Sequence, residues 1–234
     1  PLSVHKQVIK EELLKLKEQY PKKRIILLGE SMGGAIITSL MANDRELPID
    51  GAVLVAPAIW NFSEKNLFKS LFMSLVSKLF PNFKVSSKGW VEIQASDNQE
   101  VLKELSKDTY FIHHPNLKSL NGIIQLMDES YKDAKNFFSQ PSYNTLVVIP
   151  IKDEIVPRKP LIELLEATKI KSYDFSSNFL IFESNYHMIL RDIKGDNVTE
   201  EIKKWILEGK TKKPKNFDEV IKKLKNADYY HILD

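Results

Sequence analysis

Apolar and polar positions divide the chain into segments of contrasting period. Residues 3–19 carry Val8, Ile9, Leu13, Leu14 and Leu16 among Lys and Glu, which predicts an amphipathic helix that Pro21 ends. Arg24 to Leu28 is mostly apolar and reads as a strand, and Ala35 to Ala42 reads as a helix. Gly51 to Ala56 is apolar throughout, the pattern of a strand covered on both faces of a parallel sheet. Leu146 to Ile149 and Phe179 to Phe182 are short apolar runs and predict two further strands. Residues 158–169 and Val198 to Leu207 predict helices, the second with Trp205 and Ile206 facing inward. Gly209 to Asn216 is a Lys/Pro link. Phe217, Val220, Ile221 and Leu224 then lie on one face of a short amphipathic helix.

Strand alternating with helix predicts an α/β fold with a mostly parallel sheet and right-handed crossovers. From Pro57 to about Pro141 the pattern changes to helix and loop with no strong strand. That stretch separates two strands that should be neighbours, so it reads as a helical insertion. In its first helix Leu67, Phe68, Leu71, Phe72, Leu75, Val76, Leu79 and Phe80 recur at helical spacing, Met73 widens the stripe, and Lys65, Lys69 and Lys78 flank it. Periodicity favours a face that packs on the core. The alternative is a face turned toward lipid, since such a helix can lie in a lipid interface.

Composition narrows the class. The chain has 234 residues, 43% hydrophobic and 28% charged, as expected of a globular domain with a real core. A net charge of +3, with lysines spread along helices, argues against nucleic acid as partner. Without cysteine there is no disulfide, thiolate metal site or cysteine nucleophile, which fits a reducing compartment. No apolar run reaches transmembrane length and no signal peptide is visible, so the expected location is cytoplasmic, with membrane association through the insertion.

The chemistry is carried by Gly29-Glu30-Ser31-Met32-Gly33-Gly34, placed where strand gives way to helix. Gly-x-Ser-x-Gly in that context is a nucleophile elbow: a tight turn lifts the serine hydroxyl to the end of the sheet, and side chains two positions either side would collide across it, so glycine is needed at both. Only 8 glycines occur in the chain, and three of them are Gly29, Gly33 and Gly34. A serine needs a base, and the base an acid to orient it, in chain order Ser, Asp or Glu, His. Of five histidines, His187 fits best, on a short loop after the 179–182 strand. Asp153 follows the 146–149 strand and is the preferred acid. Glu154, Asp174 and Asp192 are the alternatives.

These residues resemble the α/β-hydrolase superfamily, and within it the monoacylglycerol lipase and lysophospholipase group with its serine aminopeptidase-like members. Three segments carry the resemblance: residues 27–35 to the elbow, Lys152 to Pro157 to the acid loop, and Tyr186 to Asp192 to the histidine loop. Asn121 to Asp128 is similar to cap segments of bacterial members. The resemblance implies Ser31 as nucleophile, Asp153 as acid, His187 as base and the Met32 N–H as an oxyanion donor. It implies a hydrolase core in residues 1–56 and 143–208, a helical cap or lid in 57–142, and a C-terminal link and helix in 209–234. The implied reaction is hydrolysis of a single-acyl lipid ester through an acyl-enzyme, with neither metal nor organic cofactor. Leu67, Phe68, Leu71 and Phe72 become candidates for the acyl-chain pocket.

Two departures qualify the resemblance. Pro150 stands where the acid loop usually has glycine, so the turn must be made differently. No His-Gly motif precedes the elbow, and that motif supplies a second oxyanion donor in the group. The expectation is therefore a fold lacking its N-terminal strands, with a separate chain as the candidate to supply them. The rival expectations are a non-catalytic remnant of such an enzyme, and a peptidase or amidase of the same superfamily.

Overall fold

The computed structural model describes residues 1–85, 93–168, 178–209 and 217–227. Among these residues four strands form one sheet in the order β1 (Ile26–Glu30), β2 (Gly51–Val55), β3 (Thr145–Pro150) and β4 (Phe179–Phe182). Every neighbouring pair is parallel, with Gly29 beside Leu54, Val55 beside Val148, and Pro150 beside Phe182. The expected α/β architecture is therefore present.

Alternation along the central strands feeds two cores. Ala52, Leu54, Val147 and Ile149 face one side, where they meet α1 (Leu2–Gln19), α2 (Met32–Asn43), α7 (Arg158–Thr168) and α9 (Phe217–Lys225). Val53, Val55, Leu146 and Val148 face the other, against Val198, Ile202 and Trp205 of α8 (Gly195–Glu208). Burial on both faces is what makes β2 and β3 apolar without interruption. Gly209, at φ 72°, ends α8 in the left-handed conformation that glycine adopts without penalty.

The segment between β2 and β3 holds α3 (Phe62–Lys65), α4 (Leu67–Leu79), α5 (Gln99–Leu105) and α6 (Leu117–Ser139). The side chains of Asn98 and Asn116 accept from the Val101 and Ser119 N–H groups and start α5 and α6. The second half of α6 is core: Tyr131, Ala134, Phe137 and Phe138 pack with Ile37, Leu40 and Met41 of α2.

The stripe on α4 corrects an expectation. Its packing against the core, favoured by periodicity, does not occur. Leu67, Phe68, Leu71, Phe72, Leu75 and Leu79 are all exposed, Phe68 by 87%. The helix rests on its serine-bearing edge: Ser77 is buried, and Ser70, Met73, Ser74 and Val76 are half-buried. An apolar stripe this wide cannot all face one neighbour, and here most of it faces outward.

Candidate active site

Ser31 caps the N-terminus of α2 with φ 54° and ψ −118°, a strained conformation for a residue bearing a Cβ. Neighbouring backbone holds it there. Ser31 N–H donates to Val55 O at 2.9 Å, and Ser31 O accepts from Ala58 N–H at 2.9 Å and Ala35 N–H at 3.2 Å. Gly29 is required sterically, because a Cβ there would lie 2.6 Å from Gly33 C and from Ile37 Cδ1. Gly33 is not: a Cβ at that position meets nothing within 4 Å. The second tight position is Gly34, where a Cβ would sit 2.9 Å from Pro57 Cβ and 3.0 Å from Gly29 O. The expected need for glycine two residues after the serine thus belongs to the residue three after it.

Serine and histidine leave opposite ends of the four-strand order found among the described residues. Three strand spacings put those ends roughly 14 Å apart, and the loop at 183–186 carries His187 back across them. His187 is 5% exposed, with Nδ1 2.7 Å from Asp153 Oδ2 and Nε2 2.9 Å from Ser31 Oγ. An ionised Asp153 can only accept, so the proton sits on Nδ1, and Nε2 of the neutral ring is left to accept from the serine hydroxyl. Asp153, also 5% exposed, has its other oxygen filled by the Ile155 and Val156 N–H groups, each at 2.8 Å. These bonds fix the carboxylate despite Pro150, which ends β3 in register with Phe182.

The alternative acids are placed elsewhere. Glu154 turns to accept from Gln94 N–H at 2.6 Å. Asp192 is buried in a separate hydrogen-bond cluster. Asp174 lies outside the described residues, as do the 210–216 link and the tail with His231. Met32 opens α2, so its N–H is one of the first four that find no acceptor inside the helix. Among the described residues, no group of three or more His, Asp or Glu is arranged to hold a metal ion.

Ser31 and His187 open into a cavity of about 470 Å³ whose apolar wall includes Leu102, Leu105, Phe111, Ile155 and Met188. Leu67, Phe68, Leu71 and Phe72 do not line it, which corrects the pocket assignment. The walls come instead from α5 and the loop after it, whose short helix carries too few apolar positions to stand out in sequence. Glu30 and Arg191 are among the cavity's polar lining residues. Glu30 Oε2 is 3.9 Å from Arg191 Nη1, while Glu30 Oε1 is buried with no hydrogen-bond partner among the described residues. A larger cavity of about 690 Å³, bordered by Lys152, Glu219 and Lys222, does not reach the serine.

Residues 9–194 match the family described as serine aminopeptidase, S33, over more than half of the chain. The chain belongs to this family. Among curated proteins it is 24% identical over 207 residues to a rat monoglyceride lipase, covering 86% of this chain and 65% of that one. A mouse monoglyceride lipase is 23% identical over 194 residues, covering 82% and 61%. The chain thus spans less than two thirds of the length of either relative. The fold is shared with the monoacylglycerol lipase of Paleococcus ferrophilus, at TM-score 0.66, 19% identity and coverage of 88% of this chain and 75% of that one. It is shared too with a soluble variant of Saccharomyces cerevisiae monoglyceride lipase, at TM-score 0.63, 14% identity and coverage of 91% and 70%. The S33 match runs through the elbow, the acid loop and the histidine loop alike. Among the described residues, no helix of this S33 chain is long and apolar enough to cross a membrane.

Proposed function

We propose that this chain is a serine carboxylic-ester hydrolase acting on single-acyl lipids such as monoacylglycerols or lysophospholipids. The observation that carries the reading is the continuous relay from Ser31 Oγ through His187 to Asp153, at 2.9 and 2.7 Å, opening on an apolar cavity. Ser31 attacks the ester carbonyl while His187 Nε2 takes its proton. Asp153 keeps the imidazole in the required tautomer and stabilises its charged form. The developing oxyanion is met by the Met32 N–H at the positive end of α2. His187 then returns the proton to the leaving alcohol, and water releases the acid by the same route.

The cavity chemistry supports the substrate class. Leu102, Leu105 and Phe111 suit an alkyl chain, and the acceptor oxygen of Glu30 beside Arg191 suits a hydroxylated head group. The exposed α4 stripe supports delivery from a lipid surface. Residues 65–85 hold four lysines and no acidic residue, a combination suited to anionic lipid. The names of the relatives point the same way.

The test is hydrolysis of monoacylglycerol, lysophospholipid, p-nitrophenyl ester and aminoacyl substrates by the purified chain and by Ser31→Ala. The reading expects ester turnover that Ser31→Ala abolishes, together with labelling of Ser31 by a fluorophosphonate. Turnover unaffected by Ser31→Ala, or a preference for aminoacyl substrates, would overturn it.

A further inference from the structure

Asp192 is a carboxylate that the relay does not use, and it is 5% exposed. Its two oxygens serve two different parts of the chain. Oδ1 accepts from Ser96 Oγ at 2.7 Å and Asp97 N–H at 3.4 Å, both in the segment leading into α5. Oδ2 accepts from Asn185 Nδ2 at 3.0 Å and Tyr186 N–H at 2.8 Å, both in the loop that carries His187. Ser96 and Asn185 are themselves buried, at 0% and 4% exposure. All four partners donate, so only a group with four acceptor positions satisfies them.

The surrounding bonds run the same way. Met188 N–H donates to Ala95 O at 2.8 Å, Ile193 N–H to Asp97 Oδ1 at 2.8 Å, and Asn98 Nδ2 to Arg191 O at 3.1 Å. Asn185 O accepts from Lys152 N–H at 3.0 Å, next to Asp153. The segment at 94–98 is thus joined to the histidine loop, and through it to the acid loop. The same segment leads into α5, whose Leu102 and Leu105 wall the cavity.

We propose that Asp192 is a positioning residue: it locks the His187 loop to the α5 segment, so that the wall meeting the substrate and the base acting on it hold one geometry. The inference rests on the triad reading above. It assigns Asp192 no contact with substrate. Its effect is on where the imidazole sits, and a misplacement of about 1 Å is enough to cost two orders of magnitude in rate. Asparagine at 192 would turn an N–H group toward two donors and leave one side unsatisfied. Ser96→Ala removes one of the two α5-side donors and keeps the bonds from Asp192 to the His187 loop, so it weakens the lock without breaking it.

The experiment measures p-nitrophenyl butyrate hydrolysis by the wild-type chain, Asp192→Asn, Ser96→Ala and Ser31→Ala, well below each variant's melting temperature. Alongside, the downfield proton resonance of His187 Nδ1–H is recorded by NMR. Asp192→Asn is expected to lower kcat about 10- to 100-fold with KM nearly unchanged, and to shift or broaden the Nδ1–H line. Ser96→Ala should do both to a lesser degree, and it keeps the test open if Asp192→Asn does not fold. A folded Asp192→Asn or Ser96→Ala with unaltered kcat and an unaltered line overturns the inference. Turnover that survives Ser31→Ala overturns the triad reading instead, and the NMR line still reports whether Asp192 positions His187.

Discussion

The carbonyl of Ser31 accepts from Ala58 N–H at 2.9 Å, and so ties the elbow to the chain just after it leaves β2. The bond holds Pro57 against the start of α2, where Gly34 has room only for hydrogen. A strained serine persists because strand, helix and this exit segment constrain it together.

The glycines of the elbow should therefore not behave alike. Gly29→Ala forces a methyl into backbone atoms and should cost about 3 kcal/mol or more. Gly34→Ala should cost less, since the shortest approach there is 2.9 Å against 2.6 Å at Gly29, but should still destabilise. Gly33→Ala should fall between neutral and about 1 kcal/mol stabilising, because alanine suits a helix better and nothing obstructs it. Urea midpoints of the three variants check the order.

Asp153→Asn should lower kcat by roughly 10³ to 10⁴, because the amide favours the tautomer that cannot accept from Ser31. Glu154→Gln should change kcat by less than about threefold, since a glutamine oxygen can still accept from Gln94 N–H. Steady-state kinetics on a soluble ester separates the two neighbours.

Phe68 and Phe72 are 87% and 69% exposed, so replacing both with serine should leave the melting temperature nearly unchanged. Sedimentation with vesicles of phosphatidylglycerol and phosphatidylcholine should fall about tenfold or more, since each ring withdraws from lipid. Equal sedimentation of variant and wild type would remove the lipid-facing role of α4.

Tyr131 is buried beneath α7, and burial pushes its phenol up to about 12. Below pH 10 the phenol is protonated in both folded and unfolded chains and adds no pH dependence. Above pH 10 the unfolded chain ionises first, so this group makes stability decline as pH rises toward 12. Tyr131→Phe lacks that component, and its urea midpoint should fall less steeply between pH 10 and 12.

Much of this was legible in sequence because the signals were local and repeated. β2, β3 and β4 are buried on both faces or nearly so, and an uninterrupted apolar run records that directly. Ser31, Asp153 and His187 each follow a strand, so chain order and residue type were enough to nominate the three that the fold brings together. What failed was everything set by a distant neighbour. Helical spacing showed that α4 has an apolar face but not what it faces. Gly33 and Gly34 are adjacent in sequence, and only the position of Pro57 tells which one is crowded. Asp192 stood as a spare acid until its four donors, two of them some 95 residues away in the chain, were assembled around it.

Among the described residues, Ser31 follows the first strand of the sheet and His187 the last, and one imidazole closes the span between them. Turnover is therefore an integrating gauge of these four strands: slippage anywhere between β1 and β4 parts the serine from its base while the helices remain folded. Under rising denaturant, activity should vanish before the circular dichroism of the helices changes. The molecule would then report its own loosening well ahead of its collapse.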